Sequence, residues 1–456
     1  MSRPLVFLSN FHPYVTKNTL NSGVLDSLAA QARVIIFVLK NKEDYFKELY
    51  EKENVVIEGI DLDKFVTSRR NKIFIRLSEW LLDTNVMRFH KMEAFAKTGN
   101  WPKYYFSLIF TKIFANALLF KKIVRWLDYK LNNPKPFQIY FDRYKPDVVF
   151  ATDAFGDHDV FLLKNAKSAG VKNITMLRSW DNTTSRGYLR FVPDKLIVHN
   201  EVMKEEMPKY HDIDDVIISL SGIPQFEKYI NMKPTPREEF FKKIGADPNK
   251  RLILFTPAGQ FFIDSDWHIC QILKDLYHEK KIPQDVQFVI RLHPFLPVDL
   301  SYFQTDENFI IDTPGPAKSN ELNKSKKEGE LDMSFFQHIF DSIYHSSLAI
   351  NTISSIIIDT AIFDKPLITI NFDGWERNPP ITRSLLKRWR LEENQTSWLS
   401  IGSTRLIANK EELALWINNY LNDPSIDREE RALFKNRYCW KYDGASAERI
   451  ASIVLN

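Results

Sequence analysis

The sequence predicts an α/β protein made of two Rossmann-like domains with a cleft between them. Three observations predict this fold. Apolar runs of strand length alternate with helical segments, the alternation starts again after Pro193, and 456 residues are too many for one ordinary core. We therefore expect an N-terminal domain over residues 1–193 and a C-terminal domain over residues 194–456.

The N-terminal domain opens with short apolar runs that are typical of buried parallel strands. Helical segments separate these runs, and the helix that begins at His158 should end at Gly170, because glycine readily adopts the left-handed conformation that closes a helix. The predicted strands are Leu5–Leu8, Val34–Leu39, Asp147–Thr152 and Asn173–Arg178, and the predicted helices are Leu20–Ala32 and His158–Ala169.

The same alternation predicts strands through the C-terminal domain, each ending in a polar or turn residue. They are Lys195–His199, Val216–Ser221, Arg251–Thr256, Val286–Leu292, Ser347–Asn351 and Pro366–Asn371. Residues 313–333 have almost nothing to bury and predict a mobile loop, and the chain from Ile426 onward has a helical pattern. In open α/β sheets, ligands bind beyond the carboxyl ends of the strands, so the polar residues there are the functional candidates.

Composition and motifs exclude several classes of protein. Two cysteines, Cys270 and Cys439, are too few for a disulfide framework or a structural zinc site and indicate a reducing compartment. The N-terminal residues are typical of a first strand, and no run of 18 apolar residues predicts a membrane span, so we expect a cytoplasmic protein. The sequence also lacks the motifs of dinucleotide-binding dehydrogenases, P-loop proteins, zinc proteases and serine hydrolases.

Residues 64–145 form a basic insert with 17 Lys or Arg and 5 Asp or Glu, although the formal net charge of the whole chain is only +4. Within it, Trp101–Trp126 is the most aromatic part of the chain, and Lys121, Lys122 and Arg125 close it. Such a helical stretch can lie on an anionic membrane surface or hold an acidic acceptor. The alternative is a helical pair that packs into its own domain with solvated lysines. Nucleic acid is not expected as a partner, because no recognised motif accompanies the charge.

Two strand ends of the C-terminal domain carry side chains suited to a nucleotide diphosphate. Arg291 and His293 end one strand, where they can neutralise a pyrophosphate leaving group without a metal; a backbone-capped histidine is the alternative. Asn351 leads into a hydroxyl-rich turn and then a helix, whose first N–H groups and hydroxyls can bind an anion. Plain N-capping by Ser354 or Thr352 is the alternative there, and both roles can hold together.

Two polar segments follow strands of the N-terminal domain. In Arg178–Gly187, Asp181 stands between Trp180 and Asn182 and is placed to act as general base on an acceptor hydroxyl; an Asx or Ser/Thr turn is the alternative. In Asp153–Asp159, carboxylates cluster with a histidine, which suggests a metal or a second base. Because Asp-x-Asp pairs recur elsewhere in the sequence at the rate expected by chance, we predict no metal.

Five elements follow one another in this sequence: Ser179–Gly187, Ser221–Phe226, Arg291–Pro294, Ser354–Asp359 with Lys365-Pro366 after it, and Tyr442–Arg449. In this order they resemble the CDP-glycerol glycerophosphotransferase (teichoic-acid polymerase-like) family and, more loosely, other GT-B glycosyltransferases of surface-polysaccharide synthesis. The resemblance covers roughly Asp147 to the C-terminus, and the first 146 residues match only in general form.

The resemblance implies a GT-B fold, a nucleotide-diphosphate donor, and donor-phosphate contacts from His293 and the Ser354–Ser355 turn. It also implies that the turn at Trp180 supplies the catalytic base. The family has Trp-His-Gly-Thr there with a catalytic histidine, whereas this sequence has Trp180-Asp-Asn-Thr183, so that Asp181 stands where the histidine would be. A carboxylate base is typical of inverting sugar transfer.

We therefore predict an inverting, metal-independent GT-B transferase that needs no cofactor. It would move a glycosyl or glycerophosphoryl group from a nucleotide-activated donor to a surface-polysaccharide or lipid-linked acceptor, as in capsule or cell-envelope synthesis, with peripheral membrane contact if the insert binds lipid. The predicted catalytic residues are Asp181 and His293; the predicted donor-binding residues are Arg291, Thr256, Gly222, Thr352, Ser354, Ser355 and Asp359; the acceptor-side candidates are His12, Asp153 and His158. Two alternatives stay open: a nucleotide-sugar 2-epimerase of the same fold, and a non-catalytic subunit of a polysaccharide-assembly complex.

Overall fold

The computed structural model describes residues 3–259, 262–263, 266–293, 298, 300, 302–313, 333–352, 354–374, 379–386 and 397–456. These residues form two compact units. The first comprises the described residues up to Ile230 together with Tyr438–Asn456, and the second comprises those from Asn231 to Arg437. The loop predicted at 313–333 lies, apart from its two end residues, outside the described residues.

The first unit contains a seven-stranded parallel sheet in the order β3-β2-β1-β4-β5-β6-β7. Its strands are β1 (Leu5–Asn10), β2 (Arg33–Leu39), β3 (Val55–Ile60), β4 (Val148–Ala151), β5 (Lys172–Met176), β6 (Lys195–Val198) and β7 (Ile218–Leu220). Its helices up to Ile230 are α1 (Pro13–Thr19), α2 (Val24–Ala29), α3 (Glu43–Tyr50), α4 (Asp63–Val66), α5 (Arg69–Trp80), α6 (Asn85–Thr98), α7 (Trp101–Phe114), α8 (Leu118–Leu131), α9 (Gln138–Tyr144), α10 (Asp157–Ala169), α11 (Asn182–Ser185), α12 (Glu201–His211) and α13 (Pro224–Glu227).

The second unit contains a six-stranded parallel sheet in the order β10-β9-β8-β11-β12-β13. Its strands are β8 (Arg251–Thr256), β9 (Val286–Arg291), β10 (Phe309–Asp312), β11 (Ser346–Asn351), β12 (Leu367–Ile370) and β13 (Arg405–Ile407). Its helices are α14 (Arg237–Ile244), α15 (Asp266–His278), α16 (Met333–His345), α17 (Ile356–Ile362), α18 (Lys410–Asn422) and α19 (Arg428–Cys439), the last of which ends in the first unit.

The predicted strands are all present, but the predicted domain boundary at Pro193 is wrong. Strands β6 and β7 extend the first sheet beyond β5, so the first unit continues to Ile230. The chain also returns to this unit at its end, where α20 (Ser446–Leu455) packs Ala447, Ile450 and Val454 against the core on one face of the first sheet. The strand pattern that starts again after Pro193 therefore begins with two further strands of the first sheet, β6 and β7, and not with a new sheet.

Helices α5 to α8 make up most of the basic insert, and their inner faces pack together. Phe74, Leu81, Met87 and Val124 form a buried cluster with Tyr188, and phenylalanines of α7 and α8 pack against it. This confirms that the insert packs into its own domain. Asp128 links α8 to α10 and to the loop before β6. Its buried carboxylate pairs with Lys164 on α10 at 2.8 Å and with Arg190 in that loop at 2.9 Å.

Two cations of the insert do not face solvent, contrary to the prediction. Lys121 is buried and pairs with Asp212 at 2.7 Å. Arg125 donates to the carbonyl oxygens of Leu189 at 2.8 Å and His211 at 2.6 Å. Both cations lie over the Tyr188 ring, at 4.5 Å and 4.1 Å from its centre. They hold the insert to the domain and contribute little to its surface charge.

The outer faces of α7 and α8 are apolar and exposed. Their exposed large side chains are Trp101, Tyr105, Phe106, Ile109, Ile113, Leu118, Leu119, Ile123, Trp126 and Leu131. We call this surface the outer face of the insert. Lys112, Lys122 and Lys130 are exposed on the same two helices. Within the described part of the chain, no helix is both long enough and apolar enough to cross a bilayer.

Candidate active site

Each sheet has one point at which the order of its strands reverses. Most of the candidate functional residues lie near these two points. In the first unit the reversal lies between β1 and β4, and in the second between β8 and β11. The chain leaves neighbouring strands in opposite directions at such a point, which opens a crevice at their carboxyl ends. His12 and Asp153 follow β1 and β4, and Pro257 and Thr352 follow β8 and β11.

In the second unit, a cavity of about 120 Å³ lies at this point. Six of the predicted site residues line it together: Thr256, Arg291, His293, Ser354, Ser355 and Asp359. Leu292 and apolar side chains of α16 complete the wall. A cation, an imidazole, three hydroxyls and one carboxylate therefore face a small space with apolar sides. The cation, the imidazole and the hydroxyls suit a phosphate group carried by a larger ligand.

Arg291 is held in a fixed position at the end of β9. Its guanidinium is buried, and Nη1 donates to Ser342 Oγ at 3.0 Å and to Asp312 Oδ2 at 3.3 Å. His338 Nε2 lies 2.8 Å from the same Asp312 oxygen. The Asp312–His338 pair thus orients the arginine from behind. Sequence reasoning missed this pair, because β10 is short and was not predicted.

In the turn after β11, Ser354 and Ser355 line the cavity, whereas Thr352 does not. Ser354 Oγ accepts from the Ile356 N–H at 3.3 Å, so this serine contacts the first residue of α17 as well as lining the cavity. Thr352 lies outside the lining: its Oγ1 accepts from the Ala258 N–H at 2.8 Å and contacts Asp266 Oδ1 at 3.2 Å. Thr352 therefore helps to fix the loop after β8. Asp266, at the start of α15, fixes the same loop, because it accepts from the Gly259 N–H at 2.7 Å.

Gly222 is not among the residues that line the cavity of the second unit. It belongs to the first unit, directly after β7, with φ of +85°. A Cβ there would lie 3.1 Å from Arg449 Nη2 and 3.3 Å from Glu227 Oε1. Glycine is required at this position because of the positive φ and the close approach of α13 and α20. The role of Gly222 in donor binding stays a prediction.

In the first unit, a cavity of about 210 Å³ lies beside the carboxyl ends of β1 and β4. All three acceptor-side candidates, His12, Asp153 and His158, line it, together with Arg178 and Arg186. Asp153 is buried and pairs with Arg178 at 2.7 Å, and Asp157 pairs with Arg190 at 2.6 Å.

The imidazoles of this cavity are neutral near pH 7. Burial and the nearby Arg178 cation lower the pKa of His12 to about 3, and burial lowers the pKa of His158. Burial and the Asp153 carboxylate raise the pKa of Asp159, which accepts from the Thr152 and Asp153 N–H groups at 3.1 and 3.2 Å. Asp159 thus fixes the loop that carries Asp153.

Asp181 lies at the N-cap position of α11, partly exposed, and is not among the residues that line this cavity. Its Oδ2 accepts from Ser185 Oγ at 3.3 Å, and its backbone oxygen accepts from the same hydroxyl at 2.7 Å. The Asp181 side chain accepts from no backbone N–H at the start of α11, so it does not form the Asx or Ser/Thr turn foreseen as an alternative. Its carboxylate stays accessible to solvent, so these contacts do not exclude a role as base.

His211, which sequence reasoning missed, holds the Asp181 turn from beneath. Its Nδ1 accepts from the Leu189 N–H at 3.1 Å, so Nε2 carries the proton and donates to the Thr183 carbonyl oxygen at 2.7 Å. Burial lowers the pKa of His211 to about 3, which keeps the ring in this neutral form. A histidine that ends a helical segment gives no signal of this role in the sequence.

Residues 172–456 match the family model described as CDP-Glycerol:Poly(glycerophosphate) glycerophosphotransferase. None of the curated proteins searched matches the chain.

Three solved structures illustrate the similarity in fold. The UDP-GlcNAc 2-epimerase from Neisseria meningitidis bound to UDP-GlcNAc has a TM-score of 0.55 at 12% identity, over 99% of each chain. The S. aureus MnaA–UDP co-structure has a TM-score of 0.52 at 11% identity, over 98% of this chain and 94% of that one. A variant of the wall teichoic acid polymerase TagF has a TM-score of 0.50 at 14% identity, over 99% of this chain and 88% of that one. At these identities the similarity shows the fold alone, which is the predicted GT-B fold.

Proposed function

Since the chain belongs to the CDP-glycerol:poly(glycerophosphate) glycerophosphotransferase family, we propose that it is an inverting, metal-independent transferase acting on a surface-polysaccharide or lipid-linked acceptor. Membership of the family makes it a transferase that uses a nucleotide-activated donor in cell-wall polymer synthesis. The group transferred is a glycosyl or glycerophosphoryl group. The observation that carries this proposal is the cavity of the second unit, with its guanidinium, imidazole and hydroxyl lining.

The donor phosphates are proposed to bind in this cavity. Arg291 and His293 would stabilise the charge that develops on the departing phosphate, and the serines of the turn after β11 would donate hydrogen bonds to it. Fixed donors of this kind lower the barrier because they need not reorganise during the reaction. The contacts of Arg291 with Ser342 and Asp312 support this role, because they hold the guanidinium in one orientation.

Asp181 is proposed as the base that deprotonates the acceptor hydroxyl. Its carboxylate is partly exposed, and Ser185 and His211 fix the turn that carries it. One carboxylate base and one leaving-group site are what a single displacement requires, and a single displacement inverts the reacting centre. The position of Asp181 in the family's Trp-containing turn supports this assignment.

Metal independence is supported by the partners of the carboxylates in the first unit. Asp153 and Asp157 each form an ion pair with an arginine, and Asp159 is occupied by backbone N–H groups. Arginines thus balance the charges of Asp153 and Asp157, and hydrogen bonds already engage Asp159. We expect transferase activity to survive EDTA. Complete loss on chelation, restored by Mg²⁺ or Mn²⁺, would contradict this part of the proposal.

Peripheral membrane contact is proposed for the outer face of the insert. Exposed apolar patches of this extent mark interaction surfaces, and the exposed lysines beside it favour an anionic surface. A lipid-linked acceptor would be reached from this position. The protein is then expected at the inner face of the cell membrane.

The donor assignment is tested by thermal-shift measurements with UDP, CDP, GDP and CMP conjugates. A ligand that binds only the folded state stabilises it by about 2.7 kcal/mol at 100 times its Kd. We expect one nucleotide class to raise the melting temperature of the wild type, and to do so much less in Arg291→Gln. If no nucleotide raised it, the donor assignment would be wrong.

A further inference from the structure

A second, larger cavity lies within the first unit, between the insert and the loops that follow the sheet. Its volume is about 480 Å³. Helices α5, α6 and α7 form one side, and residues 154–157 and 185–190 form the other. Neither Asp181 nor any of the proposed donor-binding residues lines this cavity.

Lys91 on α6 is the unusual feature of its wall. The residue is 9% exposed and lines the cavity. Among the residues that the structure describes, its ammonium has one hydrogen-bonding partner, the Thr111 hydroxyl, and no carboxylate within ion-pair distance. That hydroxyl donates its own proton to the Trp80 carbonyl oxygen at 2.7 Å, so it can only accept from Lys91. The Asp83 and Glu79 carboxylates favour the charged form of Lys91 only from beyond contact distance. Burying an ammonium with no carboxylate in direct contact is costly, which favours an anion at this site.

The remaining charges of the cavity leave a positive excess. Arg76, Lys103 and Arg186 reach it from α5, α7 and the turn after α11. Two carboxylates, Glu79 and Asp157, also line it. Asp157 already forms an ion pair with Arg190, which also pairs with Asp128. An anionic ligand is therefore favoured over a neutral or cationic one.

The uncharged part of the wall is suited to a sugar. Trp80, Phe95, Tyr104 and Phe155 line it with aromatic side chains, and Ser78, Thr98, Asn100 and Ser107 line it with uncharged polar ones. Aromatic surface mixed with many polar groups suits a hydroxyl-rich ligand, whose ring faces are apolar and whose hydroxyls form hydrogen bonds. Together with the cations, these groups match a phosphorylated sugar.

This cavity is continuous with the proposed catalytic turn. Ser185 lines it and donates to Asp181 Oδ2 at 3.3 Å. Phe155, Asp157 and Arg186 line both this cavity and the smaller one beside β1 and β4. A ligand held at Lys91 would thus extend toward the carboxylate that is proposed to deprotonate the acceptor.

We propose that this cavity binds the acceptor, and that Lys91 contacts a phosphate on its sugar-bearing end. The proposal rests on the proposed function, because it takes Asp181 as the base. The sugar phosphate can belong to a soluble glycan or to a lipid-linked carrier. The same contacts would hold the phosphate in either case.

Binding of glucose 1-phosphate, its decyl phosphodiester and uncharged glucose to the full chain, measured by calorimetry, tests the proposal. We expect at least one of the two phosphates to bind the wild type at least ~10-fold more tightly than glucose, since one charge-assisted contact is worth about that factor. Binding of the free phosphate identifies a soluble acceptor, and binding of the diester alone identifies a lipid-linked one. If neither phosphate bound more tightly than glucose, the proposal would be wrong.

Lys91→Met should weaken phosphate binding at least ~10-fold, because it removes the charge and keeps the length of the side chain. Lys97→Met is the matched control: Lys97 is exposed on the same helix and does not line the cavity. Arg76→Gln, at an exposed position of the wall, provides a second variant with no folding risk from a buried site. Unchanged binding in both Lys91→Met and Arg76→Gln would overturn the assignment.

Nucleotide binding separates this proposal from the proposed function. The Lys91→Met variant should show the same nucleotide-induced thermal shift as the wild type, because Lys91 lies in the first unit and the donor cavity in the second. Lys91-dependent phosphate binding in a protein that binds no nucleotide would leave this site standing and refute the donor assignment. The opposite result would refute this site alone.

Discussion

Asp181 accepts hydrogen bonds from Ser185 while its carboxylate remains partly exposed at the start of α11. Asp181→Asn keeps the shape of this side chain and removes its capacity to accept a proton. We expect kcat to fall by about 10²-fold or more, as for a lost general base, with donor affinity near that of the wild type. Kinetics and nucleotide titration on the same preparation measure both quantities.

Two controls separate chemistry from turn geometry at this position. Ser185→Ala removes the hydroxyl that holds the Asp181 turn but leaves the carboxylate, so it should reduce kcat far less. If a folded Asp181→Asn variant kept most of its activity, the residue would only shape the turn. The base would then be sought at His158 or Asp153, on the neighbouring strand end.

His293 lines the donor cavity beside Arg291. In His293→Ala, turnover of the donor should fall at least ~10-fold, about 1.4 kcal/mol of transition-state stabilisation, because a donor to the leaving phosphate is lost. Steady-state kinetics with saturating acceptor measure the change. His278→Ala, at an exposed histidine of the same unit that lies outside the cavity, is the control. Equal kinetics in both variants would remove His293 from the site.

The sequence located the strand-end residues of the second unit well, and the reason is local. Thr256, Arg291, His293 and Ser354 each follow an apolar run that could only be a buried strand, so their position at the carboxyl edge was determined by the run itself. Gly222 follows a strand in the same way, yet belongs to the other sheet. Which sheet a strand joins depends on long-range pairing that no local pattern contains.

Residues that act through tertiary contacts escaped prediction for the same reason. His211 reaches Thr183 across 28 positions of sequence, and Lys121 reaches Asp212 across 91. Lys91 did carry a signal: it follows Met87 by four residues, on the buried stripe of α6. A charged residue on such a stripe indicates either a buried ion pair or a ligand.

The α12 helix fixes the Asp181 turn through His211, and this contact makes the turn sensitive to acid. The folded pKa of His211 is about 3, below its ordinary value of 6.5, so the unfolded chain binds the proton more readily. Stability from this group is complete above pH 6.5 and is lost as the pH falls toward 3, by about 1.4 kcal/mol per unit. At pH 5 the loss amounts to about 2 kcal/mol.

The comparison of His211→Gln with the wild type isolates this effect, because the other buried histidines, such as His12 and His199, titrate in both proteins. Urea unfolding at pH 7 and pH 5 gives the two free-energy differences. We expect the variant to be less stable at pH 7 but to lose about 2 kcal/mol less between the two pH values. An equal loss in both proteins would show that His211 does not titrate in this range.

At the scale of the whole molecule, the outer face of the insert is the feature that the internal packing leaves unexplained. Phe110, Phe114 and Phe120 pack inward, yet the opposite side of the same helices exposes further large apolar groups. Leu119 is 73% exposed and Trp101 is 64% exposed. The inner face of α7 contributes Tyr104 and Ser107 to the proposed acceptor cavity. A membrane under the outer face would therefore bring a lipid-linked acceptor close to the cavity wall.

We expect the wild type to sediment with vesicles that contain phosphatidylglycerol at low ionic strength, and salt to release part of it. Salt screens the attraction of the exposed lysines and leaves the apolar contact. A double variant, Leu119→Asp with Trp126→Asp, should reduce the bound fraction several-fold, because charged groups replace apolar ones at the surface that would enter the lipid.

A second double variant, Leu415→Asp with Leu433→Asp, is the matched control. These leucines are 55% and 57% exposed on α18 and α19 in the second unit and lie far from the insert in sequence. The control changes the net charge in the same direction without altering the outer face. If the wild type stayed in the supernatant at low salt, the outer face would have to be covered by protein and not by lipid. Equal losses in the control and the first double variant would show that net charge alone drives binding, because only the first double variant changes the outer face.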